Sequence, residues 1–158
     1  MFFEPISRVL ISQDALWENG FGAVFPDLDG ANAFCDVEIT LDLIARLNPS
    51  LVIPGHSAVF TYSNEILTVA RQRLNVFVTN PLKHARHAGK VLVKFKLLEL
   101  QSSLFSDFKK WASGTPLLKK SQQRFFSGQD LASWFEQACV ELVQSGAAKR
   151  DGGYIFNA

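Results

Sequence analysis

Two side chains in this 158-residue chain stand where chemistry can be done. The run Val9-Leu10-Ile11-Ser12-Gln13-Asp14 ends in a carboxylate. The run Leu51-Val52-Ile53-Pro54-Gly55-His56-Ser57 ends in an imidazole. Each has the form of a short strand delivering one side chain to the edge of a sheet. Carboxylate and neutral imidazole together suit zinc, iron or manganese. A carboxylate can use both oxygens to bridge two cations, and such a pair of cations acidifies water and stabilises charge on a substrate oxygen. Taken on spacing alone, a histidine after Pro-Gly is more often an ordinary loop residue than a ligand.

The elements that must position these groups can be read from periodicity. Residues 6–12 read as a strand buried on both faces, through Ile6, Val9, Leu10 and Ile11. A long loop follows, in which Trp17, Phe21 and Phe25 lie among Gly20, Gly22 and Gly30. Loops of that length in a compact domain are often functional. Trp17 and Phe21 are therefore candidate substrate-binding residues, with plain core packing as the equal alternative. Asp36–Leu47 reads as a helix, with Asp36 as N-cap, Val37, Leu41, Ile44 and Leu47 on one face, and Asn48-Pro49 as its stop. Strand, helix, strand in this order predicts a parallel pair joined by a crossover, which brings the C-terminal ends of both strands to one edge. A further helix starts near Ser63 and ends at Asn80-Pro81, where the first module stops.

Charge divides the chain at the same step. Residues 1–80 carry a balance of −5 and residues 81–158 a balance of +6, as expected of two modules with different surfaces. The second module reads as a helix over Lys90–Leu100 with Val91, Phe95 and Leu98 inside. A helix over Ser103–Ala112 follows, and a third opens after the Ser127-Gly128-Gln129-Asp130 cap. Its inner face is Leu131, Trp134, Phe135, Ala138 and Leu142. Gly146 is a C-cap glycine, and Asp151-Gly152 sits in a closing hairpin. Three helices and a two-stranded wing form a small winged-helix-like domain.

Composition excludes several classes. With 47% hydrophobic and 20% charged residues the chain folds around a core and is not disordered. No apolar run approaches the ~18 residues of a membrane span, and Met1–Pro5 has no signal-peptide shape. A cytoplasmic protein without a membrane partner is expected. Cys35 and Cys139 have no metal or redox spacing and read as two buried free thiols. His84 and His87 read as a solvated helix start. No phosphate-binding glycine loop is present. The third helix of the wing module carries Glu136 and Glu141 and no Lys or Arg between Asp130 and Gln144. That face repels phosphate, so a nucleic-acid partner is disfavoured against a lid or oligomer role.

Ile11-Ser12-Gln13-Asp14-Ala15-Leu16-Trp17, a helix, then Leu51 to Ser57 resembles the C-terminal half of a metallo-β-lactamase-fold hydrolase. Residues 81–158 resemble the winged-helix-like tail found on some members. The resemblance implies an α/β fold: the second half of an αββα sandwich over 1–80, then the small helical module over 81–158. It implies Asp14 as the ligand bridging two metals and His56 as the last ligand of the second. The implied reaction is hydrolysis of an ester, thioester, amide or phosphoester in a small-molecule substrate by metal-activated water. The implied cofactor is two zinc ions, with iron or manganese as alternatives.

The sequence also departs from the family pattern. His-x-His-x-Asp-His is absent, and no histidine precedes His56. Gln13 stands where the family usually has glycine, and Ser57 where glycine is common. The chain therefore reads as a C-terminal portion that is inactive alone and retains no metal. A half-sandwich exposes an apolar sheet face, so a homo-oligomer joined through that face, or a partner-binding module, is the alternative reading.

Overall fold

The computed structural model describes residues 1–28 and 30–158; Asp29, part of the long loop, lies outside them. The protein forms two compact units, Met1–Asn80 and Pro81–Ala158.

The first unit runs β1 (Phe2–Glu4), β2 (Val9–Gln13), α1 (Phe25–Leu28), α2 (Ala33–Leu47), β3 (Leu51–Pro54), β4 (Phe60–Thr61) and α3 (Asn64–Thr79). The strands form one sheet in the order β1-β2-β3-β4. The β2–β3 pair is parallel, with Leu10 opposite Val52 and Ile11 opposite Ile53, and α2 lies in the connection between them. The strands β1 and β4 flank this pair, antiparallel to β2 and β3 respectively. Alternation decides which side chains go inside. Leu10, Val52 and Phe60 turn into a core shared with Leu41 and Ile44 of α2 and Leu67, Ala70, Leu74 and Phe77 of α3. Phe2, Ile11 and Ile53, neighbours across the register, stay 65%, 37% and 36% exposed. The sheet is therefore covered on one face.

Four expectations for this unit are corrected. Ile6 is not in a buried strand but in the turn between β1 and β2, 94% exposed, because β2 starts only at Val9. The β2 strand alternates buried and exposed instead of being buried on both faces. Asp36 is not the N-cap of α2. That helix starts three residues earlier with Asn32 as N-cap, which leaves Asp36 in the first turn. At the other end, Asn48 takes the left-handed conformation and donates its N–H to the Ile44 carbonyl, an αL stop ahead of Pro49. Cys35, expected to be buried, is exposed; Cys139 is buried, and burial pushes its thiol up to about 12.

The second unit runs α4 (Pro81–Leu100), β5 (Ser102–Leu104), α5 (Phe105–Gly114), α6 (Pro116–Phe125), α7 (Leu131–Gln144), β6 (Ala148–Asp151) and β7 (Tyr154–Asn157). The three strands form an antiparallel sheet in the order β5-β7-β6. The hairpin turns through Gly152 and Gly153, both at positive φ, with Asp151 and Tyr154 paired across it. Two successive positive φ values are the requirement of a tight primed turn, and glycine meets it without strain. The helix α7 is capped by Asp130, not by Ser127: Oδ1 accepts the Ser133 N–H at 3.0 Å and Oδ2 accepts the Ser133 hydroxyl at 2.6 Å. The cap signal in the sequence sits three residues further along than the spacing from Ser127 implies.

The α4 helix corrects two more expectations. It begins at Pro81 and buries Ala85, Ala88, Gly89, Val93 and Leu97, while Phe95 and Leu98 of the expected inner stripe stay 45% and 43% exposed. Small residues decide this. A Cβ at Gly89 would lie 2.6 Å from the Trp134 ring, so α4 turns its smallest face to the largest side chain of α7. A stripe chosen by hydrophobicity alone misses a face chosen for close approach. His84 shares that small face and is fully buried, contrary to the expected solvated start.

Candidate functional site

The parallel β2–β3 pair carries its two C-terminal ends to one edge, and both candidate ligands come off that edge. The register of the pair shifts between Ile11 and Gln13, so that Gln13 faces Pro54 and accepts the Gly55 N–H at 2.9 Å. Beyond this last ladder bond each strand releases one side chain. The Asp14 Oδ1 and His56 Nε2 atoms come within 3.8 Å of one another. The side chains are 63% and 65% exposed, so solvent screens the pair and its attraction holds little of the fold together.

What fixes Asp14 is backbone. The buried Ser12 hydroxyl donates to the Leu16 carbonyl at 2.7 Å and closes the turn after β2. The Gly22 N–H returns to the Asp14 carbonyl at 2.8 Å. A Cβ on Gly22 would lie 2.7 Å from the Asp14 Cβ, and one on Gly55 would lie 3.3 Å from its Oδ1. Two glycines thus let loop backbone close on Asp14 from both sides, a role the sequence shows only as glycines among aromatics. Two further backbone features frame the pair. Gln13, just before Asp14, has φ +56°, and Ser57, just after His56, has φ +80°. Neither is glycine, and each position costs the chain strain that glycine would not incur.

Trp17 and Phe21 part company. Trp17 anchors its indole N–H on the Gln13 carbonyl at 3.2 Å and sets its ring edge-on to His56, centroids 5.6 Å apart. It stands beside the imidazole. Phe21 points the other way, into the core, edge-on to Phe77 and beneath the Arg73 guanidinium. Arg73 is half-buried, and burial lowers its pKa. Phe21 also reaches the wall of a cleft of about 320 Å³ that opens beside Asp14. Val24, Pro26 and Val37 line the same cleft, with Asp36 and Thr40 from the first turns of α2. His56 and Trp17 lie outside it. Nothing in the periodicity of α2 marks Asp36 and Val37 as cleft residues, because only the path of the preceding loop brings them there.

The donor chemistry fits part of a metal centre. Two ligands at about 2.0–2.1 Å from one tetrahedral ion stand about 3.3 Å apart. The observed 3.8 Å is half an ångström wider, and two exposed side chains can close that gap by rotation alone. Number is the shortfall: among the described residues no group of three or more His, Cys, Asp or Glu could hold an ion. A stable zinc site takes about three or four protein ligands. Also among the described residues, no helix is long and apolar enough to cross a membrane. No protein-family model matches the chain, and no curated protein matches it.

Proposed function

We propose that this chain contributes the Asp14 and His56 ligands to a binuclear metal hydrolase of the metallo-β-lactamase type. The observation that carries the proposal is the convergence of one carboxylate and one imidazole, 3.8 Å apart, on the C-terminal edge of a parallel strand pair. The left-handed backbone at Gln13 and Ser57 supports it, because those are the positions where the family pattern favours glycine. Asp14, through its carboxylate, and His56, through its imidazole, would help to hold the metal ions. Zinc ions there, or iron or manganese, would acidify water and stabilise charge on the oxygen of an ester, thioester, amide or phosphoester. The chain's own part is to hold Asp14 between Gly22 and Gly55, to set the imidazole beside Trp17, and to offer the cleft beside Asp14 to a small-molecule substrate. Residues 81–158, with strand order β5-β7-β6, would be the winged-helix-like module of such an enzyme. Free thiols at Cys35 and Cys139 agree with a cytoplasmic setting.

Two ligands fall short of a working centre, so the proposal requires the others from a segment encoded ahead of Met1. The reading frame upstream of Met1 tests this. An in-frame His-x-His-x-Asp-His, and hydrolase activity of that longer product lost in Asp14→Asn, would support the proposal. A frame without that motif would remove it.

A second reading is favoured by the uncovered sheet face: a non-catalytic module that associates with itself through Phe2, Ile11 and Ile53. Large exposed apolar patches mark interaction surfaces. Sedimentation should then show a dimer that Ile11→Lys converts to monomer. A monomer at all concentrations would exclude this reading.

A further inference from the structure

We propose that the cleft beside Asp14 seats an apolar substrate arm carrying a positive charge, and that Asp36 selects it. This rests on the hydrolase reading of the same site. At about 320 Å³ the cleft is at the small end of the range for ligand pockets, about 300–1,000 Å³. Its wall is apolar through Phe21, Val24, Pro26 and Val37. Among the described residues, the charged groups that line it are two carboxylates, Asp14 and Asp36, with no Lys or Arg. The hydroxyl of Thr40, the remaining polar group, already donates to the Asp36 backbone carbonyl at 2.7 Å.

Two opposing fields meet here. The first turn of α2 offers backbone N–H groups that favour an anion. Asp36 sits in that turn with a full negative charge, which outweighs the roughly half charge of a helix end. The whole of residues 1–80 carries a balance of −5, of the same sign. Asp36 is the charge that the cleft wall offers to a substrate arm seated there. An ester or amide with a short apolar arm ending in an ammonium fits that wall.

The test is binding, without metal, by the chain as it stands. Benzylammonium and benzoate have similar size and shape and opposite charge. Each is titrated while the methyl resonances of Val24 and Val37 are followed by NMR. Benzylammonium should bind about two- to fivefold tighter than benzoate at low salt, the range of an exposed ion pair's contribution. Added salt should narrow the ratio. Asp36→Asn, a change on the surface, should lower the ratio, with Asp14 supplying what remains, while both compounds still shift Val24 and Val37. Benzoate binding as tightly as benzylammonium, an unchanged ratio in Asp36→Asn, or no shift at either valine would overturn the proposal. Because no metal is present, these outcomes leave the ligand roles of Asp14 and His56 to be judged separately.

Discussion

Residues 1–80 cover one face of a four-stranded sheet and hold strained backbone beside Asp14 and His56, whereas residues 81–158 close an aromatic core around α7. In the second unit Phe135 lies edge-on to Phe108 at 5.1 Å and stacks on Phe105 at 6.3 Å, and Trp111 stacks on Phe108 at 5.4 Å. Its one non-glycine residue at positive φ, among the described residues, is Gln101. The described residues of the first unit include four: Arg8, Gln13, Asn48 and Ser57. Two of these four touch the candidate ligands in sequence. Strain that persists at such positions has to be held by the surrounding structure, and it gathers where side chains are presented for function. The second unit shows the opposite arrangement, with stability from packing and little strain.

The contrast can be broken most easily through Phe135. It is buried against three aromatic rings. Phe135→Ala should cost about 3–5 kcal/mol. Hydrogen exchange should show the loss in residues 81–158, with the amides of β2 and β3 unchanged. A uniform loss across both units would mean that they do not hold their stability separately.

Gly89→Ala is next in size. In an exposed helix that change gains about 1 kcal/mol. Here the new Cβ would meet the buried Trp134 ring at 2.6 Å, a side chain with little room to give. Overpacking of about 1–3 kcal/mol should win, and denaturant melts should show net destabilisation. A stabilised variant would show that α4 and α7 are less closely packed than their side chains indicate.

In the first unit the sign should reverse. Gln13→Gly and Ser57→Gly each relieve a left-handed conformation that costs a side-chain-bearing residue about 1–2 kcal/mol. The added freedom of glycine in the unfolded chain takes back about 0.5–1 kcal/mol. A net gain of about 0.5 kcal/mol should appear in equilibrium unfolding. A loss at both positions would mean that neither is strained.

The smallest effect concerns acid. Hydrogen bonds from the Ser133 hydroxyl and backbone N–H hold the Asp130 carboxyl below its ordinary value of 3.8. A group whose pKa is depressed by folding stabilises above its unfolded value and loses that contribution as pH falls through the folded one. The second unit should therefore lose stability below about pH 4 through this cap, among other carboxylates. Asp130→Asn keeps a capping side chain and should flatten that part of the acid profile. An identical profile in the variant would exclude Asp130 as a contributor.

Much of this architecture was legible in the residues, and the exceptions have physical causes. Helical spacing places α2, α3 and α7, because each buries a repeating apolar face, while short apolar runs place β2 and β3 but hide the alternation of β2. The parallel pairing of β2 and β3 follows from strand–helix–strand order. The strands β1, β4 and β5, of two or three residues, are too short to show a period. The polar helix α6 (Pro116–Phe125) buries only Leu118 and Ser121, too little to mark a face. The face of α4 was misread because it is selected by smallness at Gly89. At the site, strand ends point to Asp14 and His56. The cleft at Asp36 depends on a loop path with no periodicity, and nothing local encodes it.

The proposed ligand roles of Asp14 and His56 are read out by a zinc titration followed through the imidazole nitrogen resonances of all three histidines. His56 should shift through Nε2 while His84 and His87 stay in place. Asp14→Asn should remove the shift, and the ion should be lost on desalting because two ligands are too few. A His56 resonance indifferent to zinc, or one that shifts equally in Asp14→Asn, would contradict those roles.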